Sequence, residues 1–228
     1  MEYAAHPRLI FRHFSRVKTM RIEEGYVKYN PVHHKGNPPW HKDLALLDSV
    51  RTEFYDLGLI GEYGNGISYG NISIRNTAND SCFVISGTGT GKIRCLGDKG
   101  YCLVTKFDID SNIVESIGPL QASSESLTHG AIYMANRLVQ CVIHVHSRMF
   151  FNALLANNSF YTPDNMAYGT PELAVSVINL VEKILKDKSL FATKGHENGI
   201  FIYAPSIIQA RDLFFYSIND LKKKWNGS

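Results

Sequence analysis

The chain has 228 residues, 44% of them hydrophobic, and a formal charge of +3 from 24 Lys and Arg against 21 Asp and Glu. This is enough apolar sequence to bury one large domain or two small ones, and too little basic excess to mark a nucleic-acid surface. Cys82, Cys95, Cys102 and Cys141 form no C-x-x-C pair and read as reduced thiols; with no leader-like apolar start and no bilayer-length apolar run, a cytoplasmic protein without membrane contact is expected.

Leu9, Ile10, Phe14 and Val17 fall near helical spacing, so residues 7–20 read as an amphipathic arm. Residues 24–39, EGYVKYNPVHHKGNPP, read as an extended connection, and the adjacent His33 and His34 as a surface pair. The expected organisation is therefore an N-terminal arm and loop over residues 1–40 and a single domain over 41–228.

Within that domain, Leu44, Leu47, Val50, Phe54 and Leu57 recur every three or four residues, which predicts a helix over 41–58 stopped by Gly58. Residues 67–75 alternate like a strand, 76–80 read as a turn, and Phe83–Ile85 as the returning strand. That strand runs into Ser86-Gly87-Thr88-Gly89-Thr90-Gly91-Lys92. Glycines among hydroxyl residues let backbone N–H groups approach an anion. The spacing is not that of a nucleotide P-loop, because only three residues separate Gly87 from Gly91-Lys92 and Ile93 follows. An anion nest and a plain turn both remain open.

Two strands are expected between 93 and 118, at Tyr101–Val104 and through the more polar run Phe107 to Ile113. Leu127, Ala131, Met134 and Ala135 then carry a helical period over 122–136, with serines as N-cap and Glu125 in the first turn. An acid there gains about 0.3–1 kcal/mol from the helix dipole, while hydroxyls and free N–H groups at a helix start also suit an anion. His129, one turn later, could face the same side as Glu125, but reads first as a surface or packing residue.

Gln140–Ser147, QCVIHVHS, is a β-branched strand in which His144 and His146 share a face and Val145 takes the other. Two co-facing imidazoles become a metal site once a third donor arrives. Helices are expected at 150–156, 172–186 and 205–224, a loop at 157–169, and a last strand region at 189–203 containing His196.

In chain order, Gly70-Asn71-Ile72-Ser73-Ile74-Arg75, Ser86-Gly87-Thr88-Gly89, Ser123-Ser124-Glu125, His144-Val145-His146 and Gly195-His196 resemble the class II aldolase/adducin family. That family includes fuculose- and rhamnulose-phosphate aldolases, ribulose-phosphate 4-epimerases and methylthioribulose-phosphate dehydratases. The resemblance spans about residues 42–220. It implies a three-layer α/β/α sandwich around a mostly antiparallel sheet, assembled as a homotetramer. It further implies that His144, His146 and His196 ligate a divalent metal, Zn²⁺ first, and that Glu125 is the catalytic acid/base. Asn71, Thr88, Gly89, Ser123 and Ser124 would then hold the phosphate of a small sugar-phosphate-like substrate.

The implied reaction is aldol cleavage through a metal-stabilised enediolate; dehydration or C4 epimerisation on the same site, and a non-catalytic adducin-like binding role, are the alternatives. The epimerases carry Asp at the position of Glu125, so Glu favours an aldolase or dehydratase. Two segments depart from the family pattern. Ala167-Tyr168-Gly169-Thr170-Pro171-Glu172 matches a Phe-Gly-Thr-Arg-Glu-like segment but has Asn165 where the aldolases place a tyrosine, which makes Tyr168 the candidate additional acid/base. The usual Asn-His-Gly around the third ligand reads Gly195-His196-Glu197-Asn198-Gly199.

Overall fold

A computed structural model describes residues 26–76, 81–157, 160–184 and 189–226. The expected arm helix at 7–20 and most of the turn at 76–80 lie outside the described residues. The elements in chain order are β1 (Asn30–Lys35), α1 (Leu44–Asp56), β2 (Gly61–Glu62), β3 (Ser68–Tyr69), β4 (Asn71–Arg75), β5 (Phe83–Ser86), β6 (Tyr101–Asp108) and β7 (Ile113–Gly118). They continue with α2 (Ser126–Ala135), β8 (Cys141–His146), α3 (Arg148–Ala156), β9 (Tyr161–Thr162), α4 (Pro171–Ile184), β10 (Leu190–Thr193), β11 (Gly199–Ala204) and α5 (Ile207–Asn226).

Nine strands form one sheet in the order β1-β7-β6-β5-β4-β8-β11-β10-β9. Only the two outermost pairs, β1 with β7 and β9 with β10, are parallel; the interior ladder is antiparallel. Helices cover both faces, as expected for the three-layer sandwich. On one face, Leu47, Val50 and Phe54 of α1 pack with Phe150 and Leu154 of α3 and Phe214 of α5 against Ile72, Val84, Ile143 and Val145. On the other, Leu127 and Ala131 of α2 and Leu173, Val177 and Val181 of α4 pack against Phe83, Ile85, Val104, Val142 and Phe201. Strand periodicity produces this division: odd-numbered positions of β8 (Cys141, Ile143, Val145) enter the first core, and even-numbered ones face α2 and α4. Burying such a side chain contributes about 1.5–3 kcal/mol.

Several elements differ from the expectations. Residues 30–35 are not a free connection but β1, held by its backbone ladder to β7, and His33 Nδ1 lies 3.0 Å from Ser116 Oγ. The expected strand at 67–75 is broken at Gly70 into β3 and β4. Gly70 has φ +73°, and a Cβ there would sit 3.0 Å from the His144 carbonyl oxygen and 3.1 Å from Ile60 Cα, so only glycine fits. The run Phe107 to Ile113 is not one strand: Phe107 and Asp108 end β6, residues 109–112 form the turn, and Ile113 begins β7. Asp108 Oδ1 accepts from the Ser111 N–H, and Asn112 takes φ +53°, the local side-chain bonding and left-handed backbone that Asp and Asn favour. The 157–169 loop includes β9, and the last strand region is the hairpin β10–β11.

The glycine-rich segment after β5 is fixed by α1. Arg51, 1% exposed, donates to the carbonyls of Thr90 (2.9 Å), Arg94 (2.8 Å) and Ile93. Asp48, one turn earlier, accepts from the N–H groups of Leu96 and Gly97 and from the Tyr101 hydroxyl. Among the described residues no helix is long and apolar enough to cross a membrane.

Candidate active site

The pocket opens at the end of β8, where the strand's even-numbered face runs out of apolar residues. It has a volume of about 450 Å³ and is lined by every site residue predicted from sequence: Asn71, Thr88, Gly89, Ser123, Ser124, Glu125, His144, His146, Tyr168 and His196.

His144 and His146 leave β8 on one face, with their Nε2 atoms 3.2 Å apart. His196 comes from the turn between β10 and β11, and its ring centroid lies 5.2 Å from that of His144 and 4.6 Å from that of His146. Each offers a ring nitrogen, and these atoms all lie within 4.8 Å of one another. All three residues are buried. The His196 turn is seated by Gly195, where a Cβ would fall 1.8 Å from the Met166 carbonyl oxygen. Asn198 takes φ +67°, a conformation Asn tolerates. These two residues resolve the local departure from the family pattern: the turn still delivers His196 to the end of β8.

The outer nitrogens of His144 and His146 are held. His144 Nδ1 is 3.2 Å from the Ile200 carbonyl, and its ring stacks on Phe201 at 4.2 Å. His146 Nδ1 is 2.7 Å from the Tyr63 hydroxyl, which the β2–β3 turn carries across from the other side. Partners on Nδ1 orient Nε2 toward a shared point. Burial holds His144 and His146 well below the usual imidazole value, opposed at His144 by the charge of Glu125 and reinforced at both by neighbouring imidazoles. Neutral imidazoles are the form that binds a metal. Three buried, convergent imidazoles, of which His144 and His146 are neutral and anchored on their outer nitrogens, therefore fit a divalent transition-metal ion.

Glu125 is the residue just before α2, not a residue of its first turn. It occupies the N-cap position without capping. Its side chain turns into the pocket instead, with Oε2 accepting from Thr128 Oγ1 at 2.7 Å and Oε1 3.0 Å from His196 Nδ1. At 2% exposed, burial alone would push the carboxyl up; His196, His144 and Thr128 outweigh this and hold it below the usual value. Local capping is made by Ser123, whose carbonyl accepts from the Ser126 N–H and hydroxyl.

At the opposite wall, Asn71 Nδ2 donates to Ser123 Oγ at 3.0 Å. Ser124, Thr88 and Gly89 complete that wall, and Gly89 takes φ +69°. Tyr168 is 1% exposed, its ring 4.8 Å from that of His196, and its hydroxyl accepts from the Tyr26 N–H at 3.1 Å.

The sequence model of the class II aldolase and adducin N-terminal domain matches residues 61–219. The chain belongs to the class II aldolase and adducin family. No curated protein sequence matches it. Among solved structures it is similar to the L-fuculose-1-phosphate aldolase of Thermus thermophilus, with 19% identity, a TM-score of 0.57, and coverage of 81% of this chain and 95% of that one. It is also similar to a sugar-phosphate aldolase from Thermotoga maritima (16% identity, TM-score 0.60, 79% and 92% covered). An aldolase II superfamily protein from Pseudomonas syringae gives 17% identity, a TM-score of 0.59 and coverage of 85% and 79%. At these identities the neighbours establish the shared fold of the family.

Sequence reasoning passed over two contributors to this site, Tyr63 and Thr128, and set a third, His129, aside as a surface or packing residue. Tyr63 lies in a glycine-rich turn with no strand signal of its own. Thr128 reads as an ordinary helix residue, although it follows Glu125 by three positions and so shares its side of the helix start. His129 is fully buried beneath Asn71, with Nε2 2.6 Å from Asn71 Oδ1. Of the readings its place one turn after Glu125 allowed, burial removes the surface one.

Proposed function

We propose that the protein is a metal-dependent aldehyde lyase that cleaves or forms a carbon–carbon bond in a small sugar phosphate or related hydroxy-carbonyl compound. The observation that carries this reading is the pairing, across one pocket, of three convergent imidazoles with a wall of neutral hydroxyl and amide groups, and a buried carboxylate between. His144, His146 and His196 would hold the ion, with Zn²⁺ the first candidate. Bound there, a divalent ion supplies Lewis-acid polarisation of a carbonyl and its neighbouring hydroxyl oxygen.

The remaining work belongs to the side chains. Asn71, Thr88, Gly89, Ser123 and Ser124 bind a phosphate with neutral donors, which spares the pocket a buried cation. Glu125, held ionised by His196 and Thr128, takes a proton from the substrate on one pass and returns it on the reverse. Burial of the carboxylate excludes water from that exchange. Tyr168 is the candidate second proton carrier, and the working form is a cytoplasmic homotetramer.

The test is product analysis on a panel of ketose phosphates with Zn²⁺, Mn²⁺ or Co²⁺ added. Release of an aldehyde and a three-carbon ketose phosphate is the expected result. A dehydrated or C4-inverted product would assign the alternative chemistry on the same residues, and failure of every substrate with metal bound would favour an adducin-like binding role. Equal turnover of unphosphorylated sugars would remove the phosphate assignments.

A further inference from the structure

His129 is a fully buried imidazole that the proposed reaction does not use. It is 0% exposed, Nε2 is 2.6 Å from Asn71 Oδ1, and Nδ1 is 2.7 Å from Ser73 Oγ. Ser73 Oγ is in turn 2.7 Å from the Tyr133 hydroxyl. Asn71 then passes the connection on, its Nδ2 donating to Ser123 Oγ at the pocket wall.

Donor and acceptor chemistry gives this chain a single direction. An amide oxygen only accepts, so Nε2 of His129 carries the proton. Burial holds the ring neutral, with its pKa lowered to about 3, and a neutral imidazole has one N–H, so Nδ1 accepts from Ser73. Ser73, having given its proton, accepts from Tyr133. The amide of Asn71 is thereby fixed with its NH₂ toward Ser123, whose oxygen is used as an acceptor. The Ser123 hydroxyl proton is left to be donated into the pocket.

We propose that His129 is a positioning residue which, through Asn71, sets the Ser123 hydroxyl as a donor to an anionic group of the ligand. The inference rests on reading the Ser123 wall as an anion site. It gives the head of the chain a part as well: the Ser73 and Tyr133 hydroxyls supply Nδ1 of this tautomer with a donor, so that the whole chain keeps one direction up to the wall. The pocket's preference for an acceptor-rich group thus begins about two layers of side chains away from it.

Two measurements on the full-length, Zn²⁺-loaded protein test this. Inorganic phosphate is titrated calorimetrically into the unaltered protein, His129→Leu and His129→Gln at equal metal content. His129→Leu is expected to bind phosphate about tenfold more weakly, and His129→Gln, which keeps an N–H donor, to recover most of that loss. Phosphate held by the metal instead would bind all three alike, which overturns the role of His129 alone. An unaltered protein that binds no phosphate overturns the anion reading itself.

Because a buried imidazole can be needed for folding, the second measurement needs no variant. Long-range ¹H–¹⁵N correlation on histidine-labelled protein should show His129 neutral with the proton on Nε2 from mildly acid to alkaline pH. A proton on Nδ1 would reverse every bond in the chain and refute the proposal.

Discussion

The two faces of β8 carry neighbouring residues to opposite ends of protein chemistry. Cys141, Ile143 and Val145 enter a core built of apolar side chains from α1, α3 and α5. Val142, His144 and His146 face the layer of α2 and α4, where the apolar packing gives way to Ser73, His129, Asn71 and Glu125. The first face carries stability, because every contact there removes area from water at no polar cost. The second face is expensive, since each buried polar group must find a partner, and the partners it has found are the ones that orient the site. A single strand can supply both because its side chains alternate, so neither task constrains the residues of the other.

Adjacent substitutions on β8 should separate the two roles most sharply. His144→Ala removes one of three ligands; metal content should fall well below one ion per chain and activity by at least about 1,000-fold, with far-ultraviolet circular dichroism unchanged. Ile143→Ala should do the opposite. It opens a cavity in the apolar core and costs about 2–5 kcal/mol of stability, seen as a lower urea midpoint, while bound metal and activity per folded molecule stay near the unaltered values. Equal loss of metal in both variants would mean that the faces are not independent.

A smaller effect is expected at the head of α2, where the buried Glu125 lines the pocket. Glu125→Gln preserves shape and the Thr128 contact but removes the base, so turnover should fall about 10²–10⁴-fold with metal retained. Metal analysis alongside steady-state rates distinguishes this from loss of the ion.

The least effect, and one confined to the polar face, is a pH dependence of stability. His129 has its pKa lowered to about 3 by burial, against about 6.5 in the unfolded chain. The unfolded state therefore binds the extra proton between those values, and stability present above about pH 6.5 is lost as pH falls toward about 3. From pH 7 to pH 5 the loss is about 2 kcal/mol for this residue. Urea midpoints at the two pH values should differ less in His129→Leu than in the unaltered protein; identical differences would place the imidazole in contact with solvent protons.

The parts of this design written in local patterns were legible in the sequence. Alternation placed His144 and His146 together and Val145 apart, and helical spacing located α1 and α2. What escaped has a common cause in long-range pairing. Asn30–Lys35, with a proline and two histidines, has little strand character, and an almost uniformly exposed surface leaves no alternation to read; its order comes from the ladder with β7. Asp48 and Arg51 look like the polar side of an amphipathic helix, yet both are buried and fasten a loop some forty residues away. The His129 chain joins β4 to α2 through side chains alone, and no spacing announces it.

The register of the sheet has one more consequence. Asn71 of β4 lies directly opposite His144 of β8, and His144 directly opposite Phe201 of β11. The wall that would grip a phosphate and the nitrogens that would grip a metal are thus spaced by the backbone ladder, at about 4.8 Å per strand. The sheet acts as a ruler across the pocket. Loops such as the β2–β3 turn can be rebuilt to admit a different substrate without altering that length, whereas a one-residue slip of β8 would send both histidines into the apolar core.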